Sequence, residues 1–590
     1  MRSGRVNARP SEATRILGWH QQRPGSVATK LSKHTRKHFM RVIDAIADIL
    51  RKEGVNTLFC YPTTPVIDAC AAAGIRPILC RQERVGVDMA NGFTRVSNGK
   101  PPSVFAMQYG PGVENAFSGI ATAYSDSSPV LLLPLGHYQS TGQMFSMFRG
   151  ARALQPVTKS SEELIKPQDI SALMRRAFGQ LRNGRLAPVA VEIPRELAES
   201  EIEVAAAEYR PVRSTTSSAN EADIDSAVRM LMDARLPMIQ AGQGVLYSEA
   251  SEELVALAEL LDIPVMTTIE GKSAFPENHE LSLGAGGIVV TGHARHFLTH
   301  SDLILGVGTS FTPHNLVNPP LPKGKVLIQA TNDTRDLYKG YDIDLPLLGD
   351  AKLVLRQLLA AARDRMGKRV ADGARRREVV RLRNAWLAEW QNKFESAEKP
   401  ITPYRVLGEF MKQVDPAEAI VTHDSGSPRD QLTPFYRATV PRSYLGWGKS
   451  HALGTGLGLT IGAKLAAPQK FCVNFMGDAA FGMTGLDFET AVRVNAPILT
   501  IVFNNSTMAI ETKALAVSHE KYRTRDIGGN YAGIGADLGG WSERVSDPNE
   551  IAPALERARR ETENGRAALL EFITSEEKTF SFRGNTSEKK

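Results

Sequence analysis

Cysteine is scarce: the 590 residues hold four, Cys60, Cys70, Cys80 and Cys472. None stands in a CxxC pair or a Cys/His cluster, which excludes a zinc-ribbon centre and a disulfide-stapled scaffold. The usage fits reduced, buried thiols in a cytoplasmic compartment. Long apolar runs are missing too. No stretch approaches the roughly 18 apolar residues of a membrane helix, so no membrane partner is expected. A secretory signal core is also missing. Most of the chain lacks excess charge. The formal charge of +7 hints at nucleic acid, but residues 1–38 hold nine Lys/Arg against one acid, Glu12. The remainder carries 62 basic and 63 acidic residues, so no nucleic-acid face is indicated. No repeat of solenoid period is present.

With 42% hydrophobic and 23% charged residues, the chain reads as a globular protein too long for one core. Residues 1–39 form a basic, Ser-containing leader, either a transit peptide or, preferably, a disordered extension before a start at Met40. From 40 to 205, short apolar runs alternate with helical periodicity, which is the pattern of an α/β domain with a parallel sheet. Residues 206–222 have linker composition. A second α/β domain spans 223–365. Its Gly242-Gln243-Gly244 lacks the third glycine of a dinucleotide fingerprint. Residues 366–400 read as a charged, solvated linker helix. Residues 401–577 form a last α/β domain, and 578–590 a polar, mobile tail. The fold class expected is therefore α/β, with three domains, each a mainly parallel sheet flanked by helices.

One stretch organises the rest. An apolar run from Phe471 ends at Gly477-Asp478, a helical pattern follows, and a second run from Ile498 ends at Asn504-Asn505. A right-handed strand–helix–strand crossover puts both turns at the carboxyl edge of one sheet. Asp478 and Asn505, 27 residues apart, then lie side by side. Carboxylate, amide and carbonyl oxygens are hard ligands that suit Mg²⁺ on a diphosphate. An ordinary βαβ unit with Asp and Asn as turn residues produces the same spacing.

The stretch resembles the thiamine diphosphate motif of the acetolactate synthase superfamily, Gly-Asp, helix, Asn-Asn. The resemblance covers nearly all of residues 40–575. It implies Mg²⁺ bound by Asp478, Asn505 and the carbonyl of Thr507, with Gly477, Ala479 and Ala480 at the diphosphate. In the first domain, Arg81-Gln82-Glu83 matches the place of a glutamate that bonds pyrimidine N1′ and drives the proton switch at thiazolium C2. Glu83 is thus the implied catalytic residue. Gly110-Pro111-Gly112 matches a GPG turn. Pro111, Asn115 and Tyr61, in the turn after the first strand, are assigned to the pyrimidine side. Ser425, Gly426 and Ser427 are assigned to the diphosphate, and Leu453 to the apolar support that bends the cofactor. His451 stands where the family has glycine.

Three readings of the chemistry follow. One is decarboxylation of a 2-oxo acid with carboligation, as in acetolactate synthase, to which Pro156-Val157-Thr158-Lys159 is similar. Thr63-Thr64 replaces its Gly-Gly, and its Trp after Asn505 is not found. The second is a lyase or decarboxylase of acyl-CoA thioesters, resembling oxalyl-CoA decarboxylase or 2-hydroxyacyl-CoA lyase, to which Gly477–Thr490 is closer. The third is a non-catalytic thiamine diphosphate-binding protein, which intact Glu83, Asp478 and Asn505 oppose. The paired histidines of simple pyruvate decarboxylases are absent near Gly110–Asn115. The family further implies a homodimer or dimer of dimers with sites at the subunit interface. FAD, ADP or CoA in the central domain is allowed by the resemblance, but Gly308-Thr309-Ser310 does not match FAD-contact residues.

Overall fold

The computed structural model describes residues 38–314, 320–367 and 371–582. The leader expected over 1–39 lies almost wholly outside them. The described residues from Phe39 onward form one compact unit.

Three six-stranded parallel sheets carry the fold. The first runs Arg76–Leu79, Thr57–Cys60, Ser103–Met107, Val130–Gly136, Val189–Pro194, Ser160–Glu163. The last runs Tyr444–Leu445, Ala419–His423, Phe471–Gly477, Leu499–Asn504, Ala568–Ile573, Trp541–Val545. Numbered within each domain, both read 2-1-3-4-6-5. The two domains thus share their whole strand order. The central sheet reads 3-2-1-4-5-6, the Rossmann order. Its inner strands, such as Leu303–Val307, are buried throughout, as are Ser103–Met107 and Val130–Gly136 of the first sheet. Strands covered by helices on both faces read as continuous apolar runs, which is why periodicity located them.

The first and last domains share one core. Phe59, Phe93, Phe105, Trp447, Leu457 and Phe481 belong to a single buried cluster. The helix Glu83–Ser97 lies along the helix Thr455–Ala466 at backbone contact distance. A Cβ on Gly92 would stand 2.1 Å from the carbonyl oxygen of Leu459, and one on Gly462 1.9 Å from that of Met89. Only glycine permits this approach.

Two expectations change. The charged helix, Ala374–Phe394, is not a solvated bridge: Val379, Trp386, Trp390 and Phe394 are buried. Trp386, Trp390 and Phe394 all pack against Phe435. Charged residues lie around the whole helix, and Arg383 and Lys393 bond to His279 and Glu577 beside the buried aromatics, so composition and periodicity hid them. The tail from Lys578 was expected to be mobile. Through Phe582 it is instead anchored: Tyr404 donates to the Thr579 carbonyl at 2.7 Å, and Ser581 to that of Val290 at 2.6 Å. The partners lie far away in sequence, so a polar composition did not reveal them.

Candidate active site

In an open parallel sheet, ligands bind beyond the strand carboxyl ends where the strand order reverses. In the last sheet the reversal falls between Ala419–His423 and Phe471–Gly477. Their ends carry Asp424-Ser425-Gly426-Ser427 and Asp478. In the first sheet it falls between Thr57–Cys60 and Ser103–Met107, which lead into Tyr61 and Gly110-Pro111. The predicted site residues therefore gather at two equivalent places.

Asp478 is the first residue of the helix Asp478–Thr484 and is buried. Its Oδ1 accepts the Ala479 N–H at 2.7 Å and its Oδ2 the Ser506 N–H at 2.8 Å. The second contact brings the turn after Asn504 against Asp478, as the crossover argument required. Burial pushes its carboxyl above the usual range. The two adjacent asparagines differ. Asn504 is spent internally: its Nδ2 donates to Glu571 at 2.7 Å, and its Oδ1 accepts the Ser506 N–H at 3.0 Å. Asn505 is half-buried, and its Oδ1 accepts only a local N–H, from Thr507 at 3.1 Å. Each oxygen of Asp478 and the Asn505 Oδ1 keeps a lone pair for a cation, so this oxygen set fits Mg²⁺. Gly426 has φ 94° and Gly477 faces open space, with nothing nearer than 4.0 Å to a Cβ placed there. A phosphate can approach both backbones. Ser425 is buried, Ser427 opens the helix Ser427–Leu432, and Ala479 is half-buried. Ala480 is fully buried beneath the strand edge.

Glu83 begins its helix, where an acid is favoured by the helix dipole. The carboxyl is buried, and among the described residues its Oε1 has no hydrogen-bond partner, while the nearby Asn115 side chain favours its charged form. Burial raises its proton affinity. A buried carboxyl oxygen without a partner is the acceptor that a ligand ring nitrogen satisfies. Pro111 and Asn115 lie on the exposed first turn of the helix Pro111–Ser125, and Gly110 takes φ 58°. Tyr61 is half-buried against the shared core. Leu453, also half-buried, precedes the helix Thr455–Ala466, and its carbonyl accepts a bond from Arg84.

Sequence reading passed over Asp424 as a functional group. It is fully buried, its Oδ1 accepts the N–H groups of Ser425 at 2.8 Å and Gly454 at 2.9 Å, and its Oδ2 accepts that of Gly456 at 2.9 Å. This carboxylate clamps the segment just after Leu453. Burial pushes it up to about 6. The clamp spans 30 residues, which no local motif shows.

A cavity of about 470 Å³ opens between the first and central domains. It lies at the central sheet's own reversal, between Gly242-Gln243-Gly244 and Gly308-Thr309-Ser310, with Arg182 and Arg185 on its far wall.

Family models agree with this architecture. The N-terminal TPP binding domain of thiamine pyrophosphate enzymes matches residues 40–147, the central domain 224–358, and the C-terminal TPP binding domain 424–572. A probable acetolactate synthase large subunit of Methanocaldococcus jannaschii is 30% identical over 550 residues, covering 88% of this chain and 90% of the relative. The large subunit of acetolactate synthase isozyme 3 of Escherichia coli is 27% identical, covering 88% and 92%. Sulfoacetaldehyde acetyltransferase of Alcaligenes xylosoxydans xylosoxydans is 28% identical, covering 92% and 95%. Three such domains in this order define a thiamine diphosphate-dependent enzyme. The chain belongs to the acetolactate synthase superfamily of these enzymes.

Proposed function

We propose that this enzyme uses thiamine diphosphate with Mg²⁺ to decarboxylate a 2-oxo acid and join the remaining fragment to a second carbonyl compound, as acetolactate synthase-like carboligases do. The observation that supports it is the pair of sites at the reversals of two sheets with one strand order, with an unpartnered buried carboxyl oxygen on Glu83 and an oxygen set on Asp478 and Asn505. When bound, the cofactor supplies the carbon that adds to the oxo group and stores the electron pair released with CO₂. Glu83, its affinity for a proton raised by burial, holds and returns the proton at the pyrimidine ring. Asn115 helps hold the Gly-Pro-Gly loop or the pyrimidine ring. Asp478, Asn505 and the Thr507 carbonyl hold Mg²⁺, while Ser425, Gly426, Ser427, Gly477, Ala479 and Ala480 line the diphosphate. Leu453 supports the cofactor's bend, with Pro111 and Tyr61 on the pyrimidine side.

A second reading, cleavage of acyl-CoA thioesters, draws on the cavity at the central reversal, whose paired glycines and two arginines suit a nucleotide diphosphate such as ADP, CoA or FAD. Assembly as a homodimer or dimer of dimers is part of the proposal. Phe117 and Tyr124, on the helix after the Gly-Pro-Gly turn, and Met483 and Leu486, just after Asp478, are exposed apolar residues beside the two half-sites.

The test is calorimetry of thiamine diphosphate with and without Mg²⁺, then a screen of 2-oxo acids and acyl-CoA thioesters for CO₂ and acetoin-type products. Wild-type affinity independent of Mg²⁺, or an Asp478→Ala affinity that keeps the wild-type Mg²⁺ dependence, overturns the metal assignment. Turnover of thioesters alone selects the second reading.

A further inference from the structure

The turn Asn505–Thr507 directly follows the strand Leu499–Asn504, and its Ser506 N–H donates to Asp478 Oδ2 and Asn504 Oδ1. Ser506, at its apex, takes φ 55°, in the left-handed region that side chains rarely adopt. The chain then runs out over exposed residues and returns: Met508 N–H donates to the Arg525 carbonyl at 2.9 Å, and Ile527 N–H to the Ser506 carbonyl at 3.2 Å. Thr507 and Asp526 form an isolated antiparallel bridge. The Arg525 side chain turns back into this fold. Its Nη1 donates to Thr512 Oγ1 at 2.8 Å and to Thr507 Oγ1 at 3.4 Å. The side chain is only 11% exposed, so its charge needs a partner. Among the described residues that partner is Glu576, whose Oε1 lies 3.4 Å from Nη1 and also accepts a bond from Thr512.

Glu576 is itself held by backbone. Thr574 N–H donates to the Asn504 carbonyl at 2.8 Å, and Ser575 N–H to that of Ile401 at 2.9 Å. Beyond it the chain stays tied down. Glu577 pairs with Lys393 at 2.7 Å, Trp386 donates to Ser581 at 3.2 Å, and Val290 N–H donates to the Phe582 carbonyl at 3.1 Å. The segment thus runs from the metal turn, along the long helix, to the central domain.

We propose that Arg525 and Glu576 are positioning residues that hold the Asn505–Thr507 turn in its cation-binding shape, which makes the segment 576–582 a strap belonging to the diphosphate site. The proposal rests on the reading of that turn as the Mg²⁺–diphosphate site. The strut acts at Thr507, whose carbonyl is one of the assigned ligands. Removing the guanidinium takes one bond each from the Thr507 and Thr512 hydroxyls and leaves Glu576 with only the exposed Lys578, 3.5 Å away, as a charged partner. Removing the Glu576 charge leaves Arg525 buried without compensation. Coupling of this kind is reciprocal. If the strap favours the bound turn, binding must stabilise the strap.

The experiment uses the full chain with thiamine diphosphate and Mg²⁺ as the probe. Affinity is measured by calorimetry, and hydrogen exchange is followed over residues 576–582. Arg525→Met is expected to weaken binding roughly tenfold to a hundredfold, the scale of hydrogen bonds to a charged group. Glu576→Gln should weaken it several-fold and Arg525→Lys should recover part of the loss. Each apo variant should lose some stability because its partner is left poorly paired, so affinity is read well below the melting temperature, and recovery of affinity in Arg525→Lys separates positioning from a merely structural loss. Exchange over 576–582 should slow on binding in the wild type but not in Asp478→Ala. Wild-type affinity in both Arg525→Met and Glu576→Gln, or exchange indifferent to the cofactor, overturns the strap. If Arg525→Met fails to fold, Arg525→Lys and Glu576→Gln decide the matter alone. A wild type that binds no thiamine diphosphate overturns the underlying reading instead.

Discussion

The first and last sheets share the order 2-1-3-4-6-5 and present their reversal points in the same way, yet they hold opposite kinds of group. At the last sheet, Asp478 has an N–H bound to each oxygen, which favours the carboxylate against the burial that raises its proton affinity. At the first sheet, Glu83 has a buried oxygen with no partner, which keeps the carboxyl ready to trade a proton. Under the proposed function, one backbone plan would serve both metal binding and proton transfer. The residues at the strand ends, and the N–H groups around them, separate the two tasks.

Four changes would break or sharpen this contrast. The strongest attacks the seam that joins the two domains. Gly462→Val drives a side chain into the Met89 carbonyl, and a loss of about 3 kcal/mol or more is expected in chemical denaturation. Stability close to wild type would mean that the two helices are free to separate. Next comes Glu83→Gln, which keeps size and hydrogen bonding but removes the ionisable group. Cofactor should still bind while turnover falls roughly 10²-fold or more. NMR of C2 proton exchange locates the defect, and wild-type exchange would remove Glu83 from the proton switch. Mixed with Asp478→Ala chains after joint refolding, it should regain part of the activity if sites are shared between copies. Heterodimers confirmed by mass spectrometry that stay inactive would refute sharing.

The third change uses pH. Asp487, which accepts the Arg81 N–H across the same seam at 2.8 Å, is pushed up to about 6 by burial. Its folded value lies above its unfolded one, so the native state holds the proton more tightly. Stability is therefore lost as pH rises through the window between the ordinary carboxylate value and about 6. Asp487→Asn escapes this loss. Its stability relative to wild type should improve by on the order of 2 kcal/mol between pH 4 and pH 7. A difference that does not vary with pH would refute the burial argument. The smallest effect belongs to Ser427→Ala, where loss of one neutral hydroxyl should weaken cofactor binding by about 1 kcal/mol and leave the proton step untouched.

What was legible in the sequence was what local chemistry repeats. Apolar runs of strand length, broken by Gly-Asp, Asn-Asn and Gly-Pro-Gly, marked the strands and their carboxyl ends, because buried parallel strands need side chains that are apolar on both faces. The crossover rule then placed Asp478 beside Asn505, which the Ser506 contact reproduces. Other features depend on residues distant in the chain. Asp424 acts on Gly454 and Gly456, and Glu576 acts on Arg525. The charged helix shows its aromatic face only against Phe435, and the tail finds Trp386 only once the domains are assembled. Periodicity reports which face of an element is buried but carries no record of what it is buried against. The sequence by itself determined the three α/β domains, the strand ends and the oxygen ligands offered there. Tertiary structure alone decided which buried carboxyls would be clamped, paired or left open, because desolvation and partner geometry arise only when separate elements pack together.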